Sequence, residues 1–401
     1  MKKRIFIMAH SLELGGAEIS LLGFLENIDY EIYKVDVFLL RHKGELMRYL
    51  PKDVNLLSLS NAYSAMGIPI IEALKKRQIR VAFGRLRGKQ IAKKRVKKLQ
   101  LSQDNNVANE YSHKYTVSSM PMMSEENYDL AISFMSPHYY VAQKVNAKKK
   151  VAWIHTDYST FEVDEQSENQ MWKRYDKIIS ISDSITEQFV KKFPSLEDKI
   201  YKIENIVPIK YMNSLVNDFS AENEMPKFDG VNLLSIGRFV FPKNFENIPD
   251  ICKRIVSQGV NVRWYIIGFG GDEQLIRDKI KSNHMEENVI ILGKKENPYP
   301  YIKACDIYVQ PSRYEGKSVA VREAQILGKP IIITNYPSAS SQIKNGYDGI
   351  VVPLENSACA ERIKEVIENK ELRERLYRNI MGEDYVGKKE INKFYRLLEE
   401  E

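Results

Sequence analysis

Residues 307 to 333 constrain the fold more than any other stretch of the chain. Ile307 to Val309 form a short apolar run that Pro311 ends. Ala320, Ala324 and Leu327 then repeat at helical spacing until Gly328 and Pro330 stop the helix, and Ile331 to Ile333 supply a second apolar run. Strand, helix and strand within about thirty residues make a parallel βαβ unit, since parallel neighbours need a crossover connection. Such units gather ligands at the carboxyl ends of their strands and at the helix N-terminus.

Glu315 and Glu323 stand eight positions apart across that helix start, in Pro311-Ser-Arg-Tyr-Glu-Gly-Lys-Ser-Val-Ala-Val-Arg-Glu-Ala-Gln325. Gly316, Lys317, Ser318 and Val319 fall where the first helical N–H groups have no intrahelical partner, so backbone donors and the helix dipole favour a phosphate there. A carboxylate beside a phosphate is repelled. The two glutamates are therefore read as acceptors for hydroxyl groups, because a carboxylate can take two hydrogen bonds from a vicinal diol. A ligand with phosphates in its middle and hydroxyls at both ends is a nucleotide sugar.

The Glu-x7-Glu element, preceded by Pro-Ser and followed by Gly328-Lys-Pro-Ile-Ile, resembles the donor-site signature of retaining GT-B glycosyltransferases, specifically the large glycosyltransferase family four of the bacterial cell-surface polysaccharide type. The resemblance implies that Glu315 contacts the donor sugar, that Glu323 binds the ribose hydroxyls and that the loop amides hold the diphosphate. One departure stands out. Where the family commonly has Glu-Gly-Phe-Gly, this chain has Glu315-Gly316-Lys317-Ser318, and Ser318 lacks the backbone freedom of glycine. Either the loop is built differently, or Lys317 and Ser318 add contacts to phosphate or sugar.

A second constellation follows the apolar run Val231 to Ile236. Gly237 leads into Arg238 and, across a loop containing Pro242, into Lys243. Glycosyl transfer makes the departing nucleoside diphosphate more negative, so preset cations stabilise the transition state more than the ground state. Arg238 and Lys243 are similar to the family's Gly-Arg-x4-Lys pattern; read without it, they are two surface cations after a strand. Gly268-Phe-Gly-Gly271 lacks full dinucleotide-loop spacing and reads as a structural turn.

In the amino-terminal half, Arg4 to Ala9 is strand-like, and Gly15-Gly16-Ala17-Glu18 precedes Ile19, Leu22 and Leu25 at helical spacing. The resemblance implies that Gly15 and Gly16 approach the donor phosphates. It also implies that His155, at the end of the predicted strand Val151-Ala-Trp-Ile, lies near the reacting centre. The alternatives are a plain turn for the glycine pair and, for His155, a core histidine or one paired with Asp157.

Hydrophobic residues at 43% and charged residues at 28% suit a globular protein, and 401 residues suit two domains. No apolar stretch approaches the roughly 20 residues needed to span a bilayer. The start, Met1 to Ala9, mimics a signal peptide, but His10 and Glu13 break the apolar region, so a cytoplasmic location is expected. Cys252, Cys305 and Cys359 are widely spaced and support neither a disulfide framework nor a zinc site.

From Lys75 to Lys98 the chain carries twelve positive charges and no acid; removing them from the net charge of +7 leaves −5. Ile79, Ala82, Phe83, Leu86, Ile91 and Val96 sit near helical spacing and predict one apolar stripe beside a broad cationic surface. Three readings fit: an anionic membrane surface, a solvated helix serving only the fold, and nucleic acid. The first is favoured because such clusters gain about 1 kcal/mol per basic residue near anionic lipid. Sparse aromatics and the lack of a reader motif argue against nucleic acid.

The expected architecture is α/β, a GT-B fold with two Rossmann-like domains facing each other across a cleft. Residues 1–208 form the acceptor-side domain with the basic segment 75–98, residues 209–375 the nucleotide-sugar domain, and residues 376–401 a terminal helix packing back on the first. A polar linker is expected between Pro208 and Asp229. The function that the resemblance implies is retaining transfer of a hexosyl group from a nucleoside diphosphate sugar, UDP-linked, to a lipid-linked or polysaccharide acceptor at the inner face of the cell membrane. No cofactor or metal is required, in keeping with the lack of an Asp-x-Asp motif. By analogy the leaving phosphate takes the acceptor proton. A non-catalytic nucleotide-sugar-binding subunit and a nucleic-acid-binding protein are the alternative classes.

Overall fold

Ile331, Ile332 and Ile333 are all fully buried, as a strand covered on both faces requires. The same logic runs through both sheets of the computed structural model, which describes residues 2–102, 105–383, 385 and 387–399. The chain divides into two units, Met1–Ile206 with Lys389–Glu401, and Val207–Lys388.

The first unit is built on β1 (Lys3–Ala9), β2 (Tyr33–Leu39), β3 (Asn55–Leu56), β4 (Asn127–Ser133), β5 (Asn146–Ile154), β6 (Lys177–Ser180) and β7 (Ile200–Lys202). They form one parallel sheet in the order β3-β2-β1-β4-β5-β6-β7. The second unit carries β8 (Val231–Ile236), β9 (Val262–Ile267), β10 (Val289–Gly293), β11 (Ile307–Gln310), β12 (Ile331–Thr334) and β13 (Ile350–Val352), parallel in the order β10-β9-β8-β11-β12-β13. The strand order reverses at β1 and β4 in one sheet and at β8 and β11 in the other, and crevices for ligands open at such reversals.

The expected linker is not one. Ile209–Leu215 is a helix with Tyr211 and Met212 buried, Tyr211 stands edge-on to Tyr299 at 5.7 Å, and Asn297 donates to the Leu215 carbonyl at 2.8 Å. The polar residues Asn217, Asp218, Ser220 and Asn223 follow this helix within the second unit, where Asn217 accepts from the Lys303 ammonium at 2.6 Å, and composition alone did not separate them from a connection.

The return of the chain to the first unit also starts later than position 376. Leu376 is fully buried in the core of the second unit, and Tyr377 and Met381 lie against Gly328. The terminal helix, Lys388–Glu399, belongs from Lys389 onward to the first unit, where Phe394 meets Phe24 edge-on at 4.7 Å and Tyr395 stacks on Tyr33 at 5.4 Å.

Most of the basic run lies on one helix, Ile79–Leu99, but the single apolar stripe expected for it divides. Ala82 is buried, and Ile91 and Val96 pack against the cluster of Ala92, Val107 and Tyr111, while Ile79, Phe83 and Leu86 stay exposed. Close approach of the helix Val107–Thr116 is the reason. A Cβ on Gly84 would come within 2.7 Å of the Tyr115 carbonyl, and one on Gly88 within 2.5 Å of that of Tyr111.

Two of the run's cations face inward. Arg85 donates to the carbonyls of Ala65 and Ile68 at 2.8 and 2.6 Å, and Arg95 forks onto buried Asp164 at 2.6 and 2.9 Å. Among the described residues no helix is long and apolar enough to cross a membrane.

Candidate functional site

β8 and β11 pair through Leu233 with Ile307 and Leu234 with Tyr308, so the loops leaving their carboxyl ends emerge side by side. On the first loop, Asn244 takes a left-handed conformation at φ 61° and donates from its amide to the Pro311 carbonyl at 2.9 Å. That bond ties the two loops together. The Lys243 stem runs over Gly237, where a Cβ would approach it to 3.4 Å, and its ammonium reaches Glu315 Oε1 at 2.6 Å. Arg238 is exposed on the same loop.

Glu315 ends a relay of buried donors. Tyr308 donates to Gln310 Oε1 at 2.8 Å, Gln310 Nε2 to Ser312 Oγ at 2.9 Å, and Ser312 Oγ to Glu315 Oε1 at 2.7 Å. From the next strand end, Thr334 donates to the Ser312 carbonyl at 2.5 Å and Ser338 to the Glu315 carbonyl at 2.6 Å. The bond from Ser312 occupies one lone pair of Oε1 and, with the backbone held by Thr334 and Ser338, fixes the carboxylate's direction.

Ser318 resolves the departure from the family pattern. Its φ of −71° and ψ of 117° are open to any residue, so glycine is not required, and its hydroxyl caps the helix Val319–Ile326 by accepting from the Val321 amide at 3.4 Å. Gln342 holds its backbone from both sides. The Ser318 N–H donates to Gln342 Oε1 at 2.9 Å, and Gln342 Nε2 donates to the Ser318 carbonyl at 2.6 Å. The Ser318 amide, expected among the donors to phosphate, is thus already committed within the protein. Gly316, Lys317 and Val319 line the same turn and are each part-exposed.

Glu323 sits one helical turn deeper and is only 5% exposed. Burial pushes its carboxyl up to about 7, partly offset by the Tyr299 hydroxyl, which donates to Oε1 at 2.8 Å. Gln342, Tyr299, Ser338 and Asn244 escaped the sequence reading. Their nearest signal was position, since Ser338 and Gln342 follow the apolar run of β12 as Ser312 follows that of β11.

The sequence-predicted residues of the first unit stand at its own strand ends. Gly15 is the extended N-cap, with φ −169°, of the helix Gly16–Asn27, and the Glu18 carboxylate lies where a Cβ on Gly15 would be. An acidic side chain therefore covers part of the helix N-terminus offered to an anion. His155 follows β5, stacked parallel to Trp153 at 6.1 Å and tilted against Phe134 at 4.8 Å. Burial of its ring nitrogens lowers it to about 3, and Nε2 finds no partner among the described residues.

Residues 220–381 match the family model for glycosyl transferases group 1. Relatives include an amylovoran biosynthesis glycosyltransferase of Erwinia amylovora, 28% identical over 41% of this chain and 48% of that protein. Another is a capsular polysaccharide biosynthesis glycosyltransferase of Staphylococcus aureus, 27% identical over 54% of this chain and 57% of the relative. The chain spans about half the length of the curated relatives it matches. Among solved structures, Anabaena HepE in complex with UDP aligns over 99% of this chain and 98% of its own at a TM-score of 0.66 and 16% identity. S. aureus TarM in complex with UDP and alpha-GlcNAc-glycerol aligns over 99% and 100% at 0.68 and 15%. At those identities the likeness is one of fold. Two Rossmann-like units with these sheet orders give this chain the GT-B fold, and its residues 220–381 match the glycosyl transferases group 1 family.

Proposed function

We propose that the protein transfers a hexosyl group, with retention, from a UDP-linked sugar to a lipid-linked or polysaccharide acceptor in the assembly of a bacterial cell-surface polysaccharide. The observation that carries this reading is the Lys243–Glu315 pair at the carboxyl ends of β8 and β11, held by the relay from Tyr308 to Ser312. An ammonium has three donors and a carboxylate two oxygens, so the pair orients both groups while leaving each able to meet a ligand. Arg238 and Lys243 would take up charge on the departing diphosphate in place of a metal ion, Glu315 would orient the sugar, and Glu323 would accept from the ribose diol. His155 of the first unit, with its unpartnered Nε2, is the proposed contact to the reacting sugar. The capsular and amylovoran relatives and the UDP complex of HepE support the substrate class. A lipid-borne acceptor calls for work at a membrane surface on the cytoplasmic side.

The test is release of UDP from a panel of UDP-hexoses with polyprenyl-linked and free oligosaccharide acceptors, with the anomeric configuration of the product read by NMR. Transfer with inversion, or UDP-sugar binding without any turnover, overturns the reading; the second result would leave a nucleotide-sugar-binding subunit.

A further inference from the structure

The helix Ile79–Leu99 presents a surface that the donor chemistry does not use. Ile79 is 64% exposed, Phe83 67% and Leu86 45%, and beyond them on the same helix Lys93, Lys94 and Lys97 are exposed. At 3.6 residues per turn these six positions fall within an arc of about 100° and extend over most of a length of about 30 Å. Large side chains in water are apolar at one end of this face and cationic at the other. The preceding short helix, Ile70–Lys75, adds Ile71 at 70% exposure and Leu74 at 44%. No acidic residue occurs from Ala73 to Ser102. Single exposed apolar residues are ordinary, but five on two neighbouring helices beside a lysine cluster mark an interaction surface.

We propose that this outer face docks on an anionic lipid bilayer, with Ile79, Phe83 and Leu86 in the acyl boundary and Lys93, Lys94 and Lys97 against headgroup phosphates. Charge and apolarity together select the occupant. A nucleic-acid backbone would satisfy the lysines but leave the apolar end in water, and no aromatic interleaves the lysines to stack on bases. A second copy meeting this face with its own would set the lysines toward lysines if the helices ran parallel, or toward Ile79, Phe83 and Leu86 if they ran antiparallel, and would offer them no anion either way. Arg95 and Arg85 take no part, since their guanidinium groups are bound inside the fold. The proposal rests on the reading of a membrane-borne acceptor and names the surface that brings the chain to it.

Co-sedimentation of the full chain with vesicles of phosphatidylcholine, alone or with phosphatidylglycerol, tests it. Wild type should pellet with the anionic vesicles and be released by salt. Changing Lys93, Lys94 and Lys97 together to Gln should lower the partition coefficient on the order of a hundredfold. Changing Ile79 and Phe83 to Gln should lower it at least about tenfold with the lysines intact. All six positions are exposed, so melting temperatures should not move. Unchanged vesicle binding in the apolar variant overturns the proposal, as does wild-type binding to a single-stranded oligonucleotide that resists vesicle competition. A wild-type dimer in light scattering that the apolar variant converts to monomer also overturns it, by assigning the face to a second copy. UDP binding measured on the same samples separates the two readings. A chain that binds UDP but never vesicles loses only the docking face, and one that binds vesicles but never UDP loses only the glycosyl-transfer reading.

Discussion

The Lys243 ammonium lies 2.6 Å from Oε1 of Glu315, the same oxygen that accepts from Ser312, so residues 72 positions apart meet where the sheet of the second unit reverses its order. Neither partner is fully buried, with side-chain exposures of 20% and 8%, so both can exchange a contact with each other for one with a ligand.

Removing the cation from that pair should act mainly on turnover. Lys243→Ala is expected to lower kcat about 10²-fold or more, by comparison with loss of one donor to a developing anion, and Arg238→Ala to a similar degree. A donor with a better leaving group should recover part of the loss in both. Near-normal kcat in both variants would reduce Arg238 and Lys243 to surface charges.

Donor affinity should depend on Glu323. Glu323→Ala is expected to weaken UDP binding by about 1.5 to 3 kcal/mol, the usual worth of hydrogen bonds to a charged group. With the carboxyl raised to about 7, wild-type affinity for UDP should increase as pH rises through neutrality and the acceptor form fills. Titration calorimetry at several pH values checks both points, and Glu323→Gln should flatten the pH profile.

The same shift has a consequence for stability, with the opposite slope. Folded Glu323 keeps its proton up to about 7, whereas the unfolded group releases it near its ordinary value of 4.5, so stability should fall as pH rises between those values. The full effect is at most about 3 kcal/mol. Glu168 of the first unit, also raised to about 7 by burial, adds a contribution of the same sign. Urea denaturation of Glu323→Gln and Glu168→Gln from pH 4.5 to 7.5 should therefore show each variant losing its share of the slope; a slope unchanged in both contradicts the assignment.

Gln342 is expected to behave as a positioning residue for the donor loop. Gln342→Ala removes both bonds to the Ser318 backbone and leaves a buried amide and carbonyl without them, at a cost of about 1 to 3 kcal/mol. UDP affinity should fall along with melting temperature. Gln342→Glu, which keeps an acceptor for the Ser318 N–H but loses the donor to its carbonyl, should fall between wild type and Ala on both measures.

Arg95 should separate from its neighbours in stability. Breaking its fork onto Asp164, which also accepts from Tyr111 and caps the helix Glu165–Trp172, leaves a buried carboxylate uncompensated. Arg95→Ala is therefore expected to destabilise by about 3 to 5 kcal/mol, while exposed Lys94→Ala should stay within about 0.5 kcal/mol of wild type. Chemical denaturation of the two variants decides it, and equal midpoints would place Arg95 among the surface cations.

What the sequence determined by itself is local. Apolar runs and their breaks at Pro311, Gly328 and Pro330 marked β11, a helix and β12, because burial on both faces and helical periodicity are written in adjacent residues. From that frame followed the turn that carries Glu315 and the helix that carries Glu323, and the loop after β8 that carries Arg238 and Lys243. The tertiary structure decided the partners. Lys243 found Glu315 only because β8 and β11 are neighbours in the sheet, and Gln342 found Ser318 only because β12 lies next to β11. It also decided which cations of the basic run are surface and which are anchors, since the approach of Val107–Thr116 at Gly84 and Gly88 turned Arg95 toward Asp164 and left Phe83 outside. Hydrogen-bond and ion-pair partners are chosen by which strands and helices become neighbours, and that choice depends on the packing of the whole unit rather than on the period of any one segment.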